Sequence, residues 1–141
     1  MELAERLDRL WAAIIDHALV AAVAVAAALA YAAARGSASL GLILGSCGAA
    51  MIALLAVQVW LLTTRGQTVG KRALGLRIVK ASDMTNGGFV TNVLLRAGAA
   101  WAISMVPVAG PIFAVADPLF IFRDDRRCLH DQIAGTCVIK A

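Results

Sequence analysis

Polar residues are spaced along this chain so that three long apolar stretches remain. From Leu10 to Ala34 the only strongly polar side chains are Asp16 and His17, and the run exceeds the roughly 20 residues that cross about 30 Å of hydrocarbon. Residues 37–64 carry no charge, and Gln58 is their one large polar side chain. Both runs predict membrane-spanning helices, over residues 10–34 and 37–64. The third stretch, residues 97–122, is interrupted by Pro107-Val108-Ala109-Gly110-Pro111. Each proline removes a backbone donor and drives the residue before it out of the helical region. A bend is therefore expected, with arms of only about 10 to 12 residues, or roughly 15 to 18 Å of helix. The prediction is a broken or re-entrant helical hairpin.

The polar segments between these runs carry their own pattern. Leu76-Arg77-Ile78-Val79-Lys80 alternates as a strand does, and Asn86-Gly87-Gly88 offers turn chemistry that would reverse the chain. A small strand or hairpin is expected within residues 65–96. Gly75-Leu-Arg-Ile-Val-Lys80-Ala81 and Gly135-Thr-Cys-Val-Ile-Lys140-Ala141 align at a constant offset of 60 residues, which also lays Trp60-Leu61-Leu62 on Phe120-Ile121-Phe122. Each copy reads as a helix end, a polar linker and a strand. The two strands could pair on one side of the membrane.

Composition sharpens this picture. In 141 residues, 61% are hydrophobic and 16% charged, with mean hydropathy +0.81, far from the roughly 25% charge of soluble domains. A soluble globular protein is excluded. The net charge of +4 sits at the ends of the apolar runs, so it speaks of topology and not of nucleic acid. Arg65, Lys71, Arg72, Arg77, Lys80 and Arg96 crowd residues 65–96, and Arg123, Arg126, Arg127 and Lys140 follow the third run, whereas Arg35 alone lies between the first two. The positive-inside rule then puts residues 1–9, 65–96 and 123–141 in the cytoplasm, with both termini inside. A cleaved signal peptide is opposed by the acidic start and by Asp16 inside the first run. Cys47, Cys128 and Cys137 are an odd number without framework spacing and read as free thiols. Ser37, Gly41, Gly45, Ala49 and Ala53 make a small-residue seam on the second helix, a place for another helix to approach.

Intramembrane polar residues are the candidate site. Counted inward from the flanking charges, Asp16, Gln58 and Asp117 each fall roughly 9 to 11 Å deep, and His17 and Ser104 lie nearby. An ionised Asp facing lipid costs about 2.5 to 3.5 kcal/mol even on insertion scales, so these carboxylates should face protein or water. One reading is a proton or cation site built from Asp16, Asp117 and Gln58 and tuned by Arg9, with the carbonyl of Ala114, freed by Pro118, as a further ligand. The other is packing: Arg9 or Arg96 pairs with an aspartate of another helix and fixes the bundle.

Arg9 and Asp16, the block Gly66-Gln-Thr-Val-Gly70-Lys71-Arg72-Ala-Leu-Gly75, and Asp117 followed by Leu129-His130-Asp131-Gln-Ile-Ala-Gly135-Thr136 resemble the RDD family of small, mostly bacterial membrane proteins. Its eponymous arginine and two aspartates match Arg9, Asp16 and Asp117. The resemblance covers nearly the whole chain and implies three hydrophobic segments, a bacterial cytoplasmic membrane location and some part in transport, without a defined substrate.

Other motifs lead elsewhere. Gly66-Gln-Thr-Val-Gly70-Lys71 lacks the spacing and the following Ser or Thr of a phosphate loop, so Lys71 and Arg72 are assigned to the lipid surface. Cys128, His130, Asp131 and Cys137 lack paired zinc spacing, and no metal or other cofactor is expected. His130 and Asp131 have no nucleophile signature beside them and are assigned, with Arg96 and His17, to structural or tuning roles such as helix capping. The expected protein is an all-α integral membrane domain, not an enzyme, with a small cytoplasmic β element. Two functions remain: proton- or sodium-coupled transport, which needs a homo-oligomer to enclose a path, or a non-transporting accessory or assembly subunit of a larger membrane complex.

Overall fold

A computed structural model describes residues 2–34 and 39–141 of the chain; Arg35 and Ser37, part of the expected connection and seam, lie outside the described residues. Helix α1 runs Arg6–Ala33 and α2 runs Leu40–Arg65. Both are long and apolar enough to cross a membrane, about 40 Å each at 1.5 Å per residue. Gln58, late in α2, bonds Asp16, early in α1, so the two helices pack antiparallel. Their outer faces leave large apolar side chains bare, Leu29 at 67% and Leu42 at 81% exposure. A continuous sheath of this kind is stable against lipid and not against water.

The hydrophobic core sits at one end of this hairpin. After α2 come a short helix α3, Val69–Ala73, and strand β1, Leu76–Lys80; near the C-terminus come α6, Leu129–Ile133, and β2, Thr136–Lys140. Helix, glycine and strand recur 60 residues apart, as the sequence repeat implied. Gly75 and Gly135 both have φ of +63°, the left-handed turn that ends a helix and that a side chain would disfavour. β1 and β2 pair antiparallel, with Ile78 opposite Val138, and Ala81 N to Gly135 O mirrors Ala141 N to Gly75 O at 2.9 and 2.7 Å. The repeat is thus closed on itself about a local two-fold axis. Leu76, Ile78 and Val138 are fully buried with Ala4, Ala12 and Leu62, each large side chain contributing about 1.5 to 3 kcal/mol.

Three details correct the sequence reading. β1 does not turn back at Asn86–Gly88 to form a local hairpin; its partner is β2, and Asn86 instead donates to the Thr63 carbonyl at the end of α2, 2.9 Å away. The N-terminal segment, expected only as a cytoplasmic stretch, adds to the sheet: Leu3 bridges Ile139, and Ala4 N donates to Val138 O at 2.9 Å. Residues 90–96 are not linker, because a π-helical segment, Val90–Gly98, already leads into α4, Ala99–Ser104. Its inner face is polar, with Asn92 and Arg96 buried, so an apolar window passes over it. The third stretch breaks where the prolines predict. α4 ends at Ser104, α5 runs Ala109–Leu119 and a 3-10 turn covers Phe120–Phe122. α4 and α5 pack together, and a Cβ on Gly110 would collide with the Ser104 carbonyl.

Candidate functional site

Three aspartates meet the ends of the two short helices. Asp16 accepts from the Gly70 amide at 2.8 Å, from the Thr68 hydroxyl and from Gln58 Nε2 at 3.1 Å, while Gln58 Oε1 accepts from Val69 N at 3.1 Å. Together they satisfy orphan donors in the first turn of α3. Gly70 makes this possible, because a Cβ there would overlap the Ala12 carbonyl and press on the Asp16 carboxyl group. Asp117 of α5 repeats the arrangement on α6. It accepts from His130 N at 2.9 Å and from His130 Nδ1 at 2.6 Å, and His130 is the repeat counterpart of Gly70.

Asp131 is the centre of charge. Its side chain is 0% exposed and accepts from Arg96 Nε at 2.7 Å, from Arg9, and from Cys128 N at 3.2 Å, the last closing a capping box on α6. Burial alone would raise its pKa, but Arg96, Arg9 and His130 outweigh that and hold the carboxyl well below the usual carboxylate range. Arg9 also donates to the Arg126 carbonyl and touches Cys128 Sγ at 3.5 Å. Arg96 Nη2 lies 2.8 Å from His130 Nε2. A guanidinium can only donate, so that nitrogen is the acceptor and the imidazole proton is assigned to Nδ1, facing Asp117. Burial and then Arg96 lower the His130 pKa against the opposing pull of Asp117 and Asp131, so the ring is neutral at pH 7.

Asp16 and Asp117 do not touch each other. They face one cavity of about 640 Å³ between α1 and α5, which His17, Lys71, Arg96 and His130 also line. Asp16 and Asp117 are thus two capped carboxylates on a shared void. Arg9, expected to tune the carboxylates or to pair with an aspartate of another helix, reaches across to Asp131 on α6, and Arg96 joins it there. His17 is exposed and bonded to the Ala13 carbonyl at 2.7 Å, and Ser104 turns to the Trp101 carbonyl at 2.6 Å. Arg72 lies at the surface, but Lys71 does not: it is 9% exposed, inside the cavity. α3 lies flat across α1, which turns residue 71 inward, and so its assignment to the open lipid surface is corrected. Asp131 does tie helix to strand, through Thr136 Oγ1 at 3.5 Å.

Sequence reasoning missed Thr68, Gly70 and Asn92. Thr68 caps α3, accepting from Lys71 N at 3.2 Å, a role its place before Val-Gly-Lys could have announced. Asn92, fully buried, donates to the Leu62 carbonyl at 3.0 Å and to Asn86 at 2.8 Å. Asp117, Cys128 and His130 bring potential metal-binding atoms within 4.8 Å of one another. Those atoms are already committed, Asp117 to His130, His130 Nε2 to Arg96 and Cys128 Sγ to Arg9. Burial pushes the Cys128 thiol up to about 11.

A Haemophilus influenzae protein, described only as an uncharacterized protein, is 32% identical over 93 residues, covering 64% of this chain and 55% of its own length. The match thus spans about half the length of that relative. No solved structure matches the chain. The RDD family matches residues 3–135, nearly the whole length, and this chain belongs to the RDD family.

Proposed function

We propose that this is a proton-coupled transporter of a monovalent cation such as sodium in a bacterial cytoplasmic membrane. The supporting observation is the Asp117–His130 pair, a carboxylate 2.6 Å from an imidazole, opening on the cavity that Asp16 faces from the other wall. An imidazole beside a carboxylate can take up a proton as a cation leaves and release it as one arrives, which keeps the charge balanced. Asp16 with Gln58 supplies the second oxygen cluster. The assigned topology has α1 and α2 spanning and the α4–α5 hairpin entering and leaving on the cytoplasmic side. In support, Arg96 before the hairpin and His130 after it touch, and the basic segments gather at the same end. Two spans and a hairpin do not enclose a path, so a homo-oligomer is part of the proposal. Gly41 and Gly45 on α2 have open space where a Cβ would stand, and another helix can close on them.

The second reading, a non-transporting accessory or assembly subunit, draws support from the same carboxylates. Asp16, Asp117 and Asp131 all hold helix ends in place, which is what interhelical ties do. Proton and sodium flux in liposomes separates the two. Wild-type flux lost in folded Asp16→Asn and Asp117→Asn supports transport. No flux from intact protein, with a membrane complex co-purifying, supports the accessory role.

A further inference from the structure

Among the described residues, Lys71 is a largely buried cation with no direct anionic partner. Among the described residues its ammonium makes no ion pair within 4 Å and no hydrogen bond, although the side chain is 9% exposed. Its nearest acids are already spent. Asp16 receives three donors from Gln58, Thr68 and Gly70, and Asp131 is held between Arg9 and Arg96. The stem is buried while the ammonium opens on the cavity that Lys71 lines, where an anion can reach it.

The walls of that cavity define the occupant. Leu10 and Phe113 make its apolar sides, and Arg6 stands at its rim with the guanidinium 6.0 Å from the Phe122 ring. It lies between α1 and α5 where the apolar helices meet the polar cap, the level at which phospholipid headgroups sit. Basic pockets between membrane helices accept such headgroups. A free phosphate would fill the ammonium end alone; a lipid also covers the apolar walls with its chains.

We propose that the cavity between α1 and α5 binds an anionic phospholipid, whose headgroup phosphate pairs with Lys71 while its acyl chains lie against Leu10 and Phe113. Arg6 closes over the headgroup from the rim. The void is the one that Asp16 and Asp117 also face; lipid retention is read independently of cation flux, so either proposal can fail without the other. Burial, followed by the nearby Arg96, lowers the Lys71 pKa to about 8, so the ammonium is mostly charged at neutral pH, and an anion would hold it so.

Native mass spectrometry and thermal unfolding of the full chain in neutral detergent test the site, with added phosphatidylglycerol, phosphatidylcholine, glycerol 3-phosphate or inorganic phosphate. Phosphatidylglycerol is expected to give one retained adduct and a rise in Tm, at least tenfold weakened in Lys71→Gln and kept in Arg72→Gln. Equal retention of phosphatidylcholine, or undiminished phosphatidylglycerol binding to Lys71→Gln, overturns the proposal. Protection by either soluble phosphate as strong as by the lipid makes this an anion site and overturns the lipid assignment. Should Lys71→Gln fail to fold, headgroup-photoactivatable phosphatidylglycerol on the wild type decides. Crosslinks to the peptides holding Leu10, Lys71 or Phe113 support the site, and crosslinks confined to other surfaces refute it.

Discussion

Replacing Asp131 by Asn removes the one negative charge between two buried guanidiniums. Arg9 and Arg96 are each 7% exposed and cannot swing into water without leaving the cap. Asparagine retains an oxygen for Cys128 N or one arginine, but no charge. Breaking a buried pair from one side costs about 3 to 5 kcal/mol, and the retained acceptor places this case near the lower figure. At the roughly 2 to 8 °C per kcal/mol that spans domains on either side of this size, Tm should fall by about 10 °C. The assay is heating in detergent followed by size-exclusion of a fluorescent fusion. The triple variant Arg9→Met, Arg96→Met, Asp131→Leu should regain most of the loss, because no unpaired charge remains. Acid supplies an internal control. The depressed Asp131 pKa gives stability that is complete above the ordinary value of 3.8 and is lost as pH falls toward the folded value, so wild type and Asp131→Asn should converge in strong acid. An Asn variant within about 2 °C of wild type at pH 7 would refute the reasoning that this triad holds the cap.

Gly70→Ala forces a methyl group into the Ala12 carbonyl and the Asp16 carboxylate, and the same assay should register a loss of about 1 to 3 kcal/mol; an unchanged Tm would show that α3 can lift from α1. Because His130 is held below its ordinary 6.5 by burial and Arg96, the folded state binds the proton less readily than the unfolded one. Stability should drop as pH falls below about 6.5, and His130→Gln should flatten that limb. Lys71 acts with the same sign at the alkaline end. Burial, Arg96 and Arg9 lower it to about 8 against Asp16 and Asp131, so lipid-free protein should gain stability from pH 8 toward 10.5 and Lys71→Met should not.

The sequence announced what depends on local pattern. Apolar run length located α1 and α2, paired prolines broke the third element, and the 60-residue offset found β1 and β2 and left their antiparallel register open. It was silent where partners are fixed only by the closed fold. Arg9 lies 122 positions from Asp131, and a stripe on α1 says nothing about what α6 brings to it. Lys71 reads as surface in any hydropathy window because the window cannot see that α3 lies flat. Val90–Gly98 was hidden by its own usefulness: Asn92 and Arg96 are polar because they bond other elements. Asp16 and Asp117 were found by the cost of placing charge in lipid, but their matching partners, Gly70 and His130, required the repeat to be followed into the helices.

The bridge from Leu3 to Ile139 and the bond from Lys140 N to Glu2 O, 3.1 Å, have a consequence for biogenesis. Leu3 and Ala4 find their strand partners only once β2, at the far end of the sheet-forming segment, has been translated. Until then Arg9 and Arg96 have no Asp131 and β1 is an open edge. A nascent chain stalled before α6 therefore lacks the counter-charge and the strand partner together, and translation of α6 and β2 supplies both.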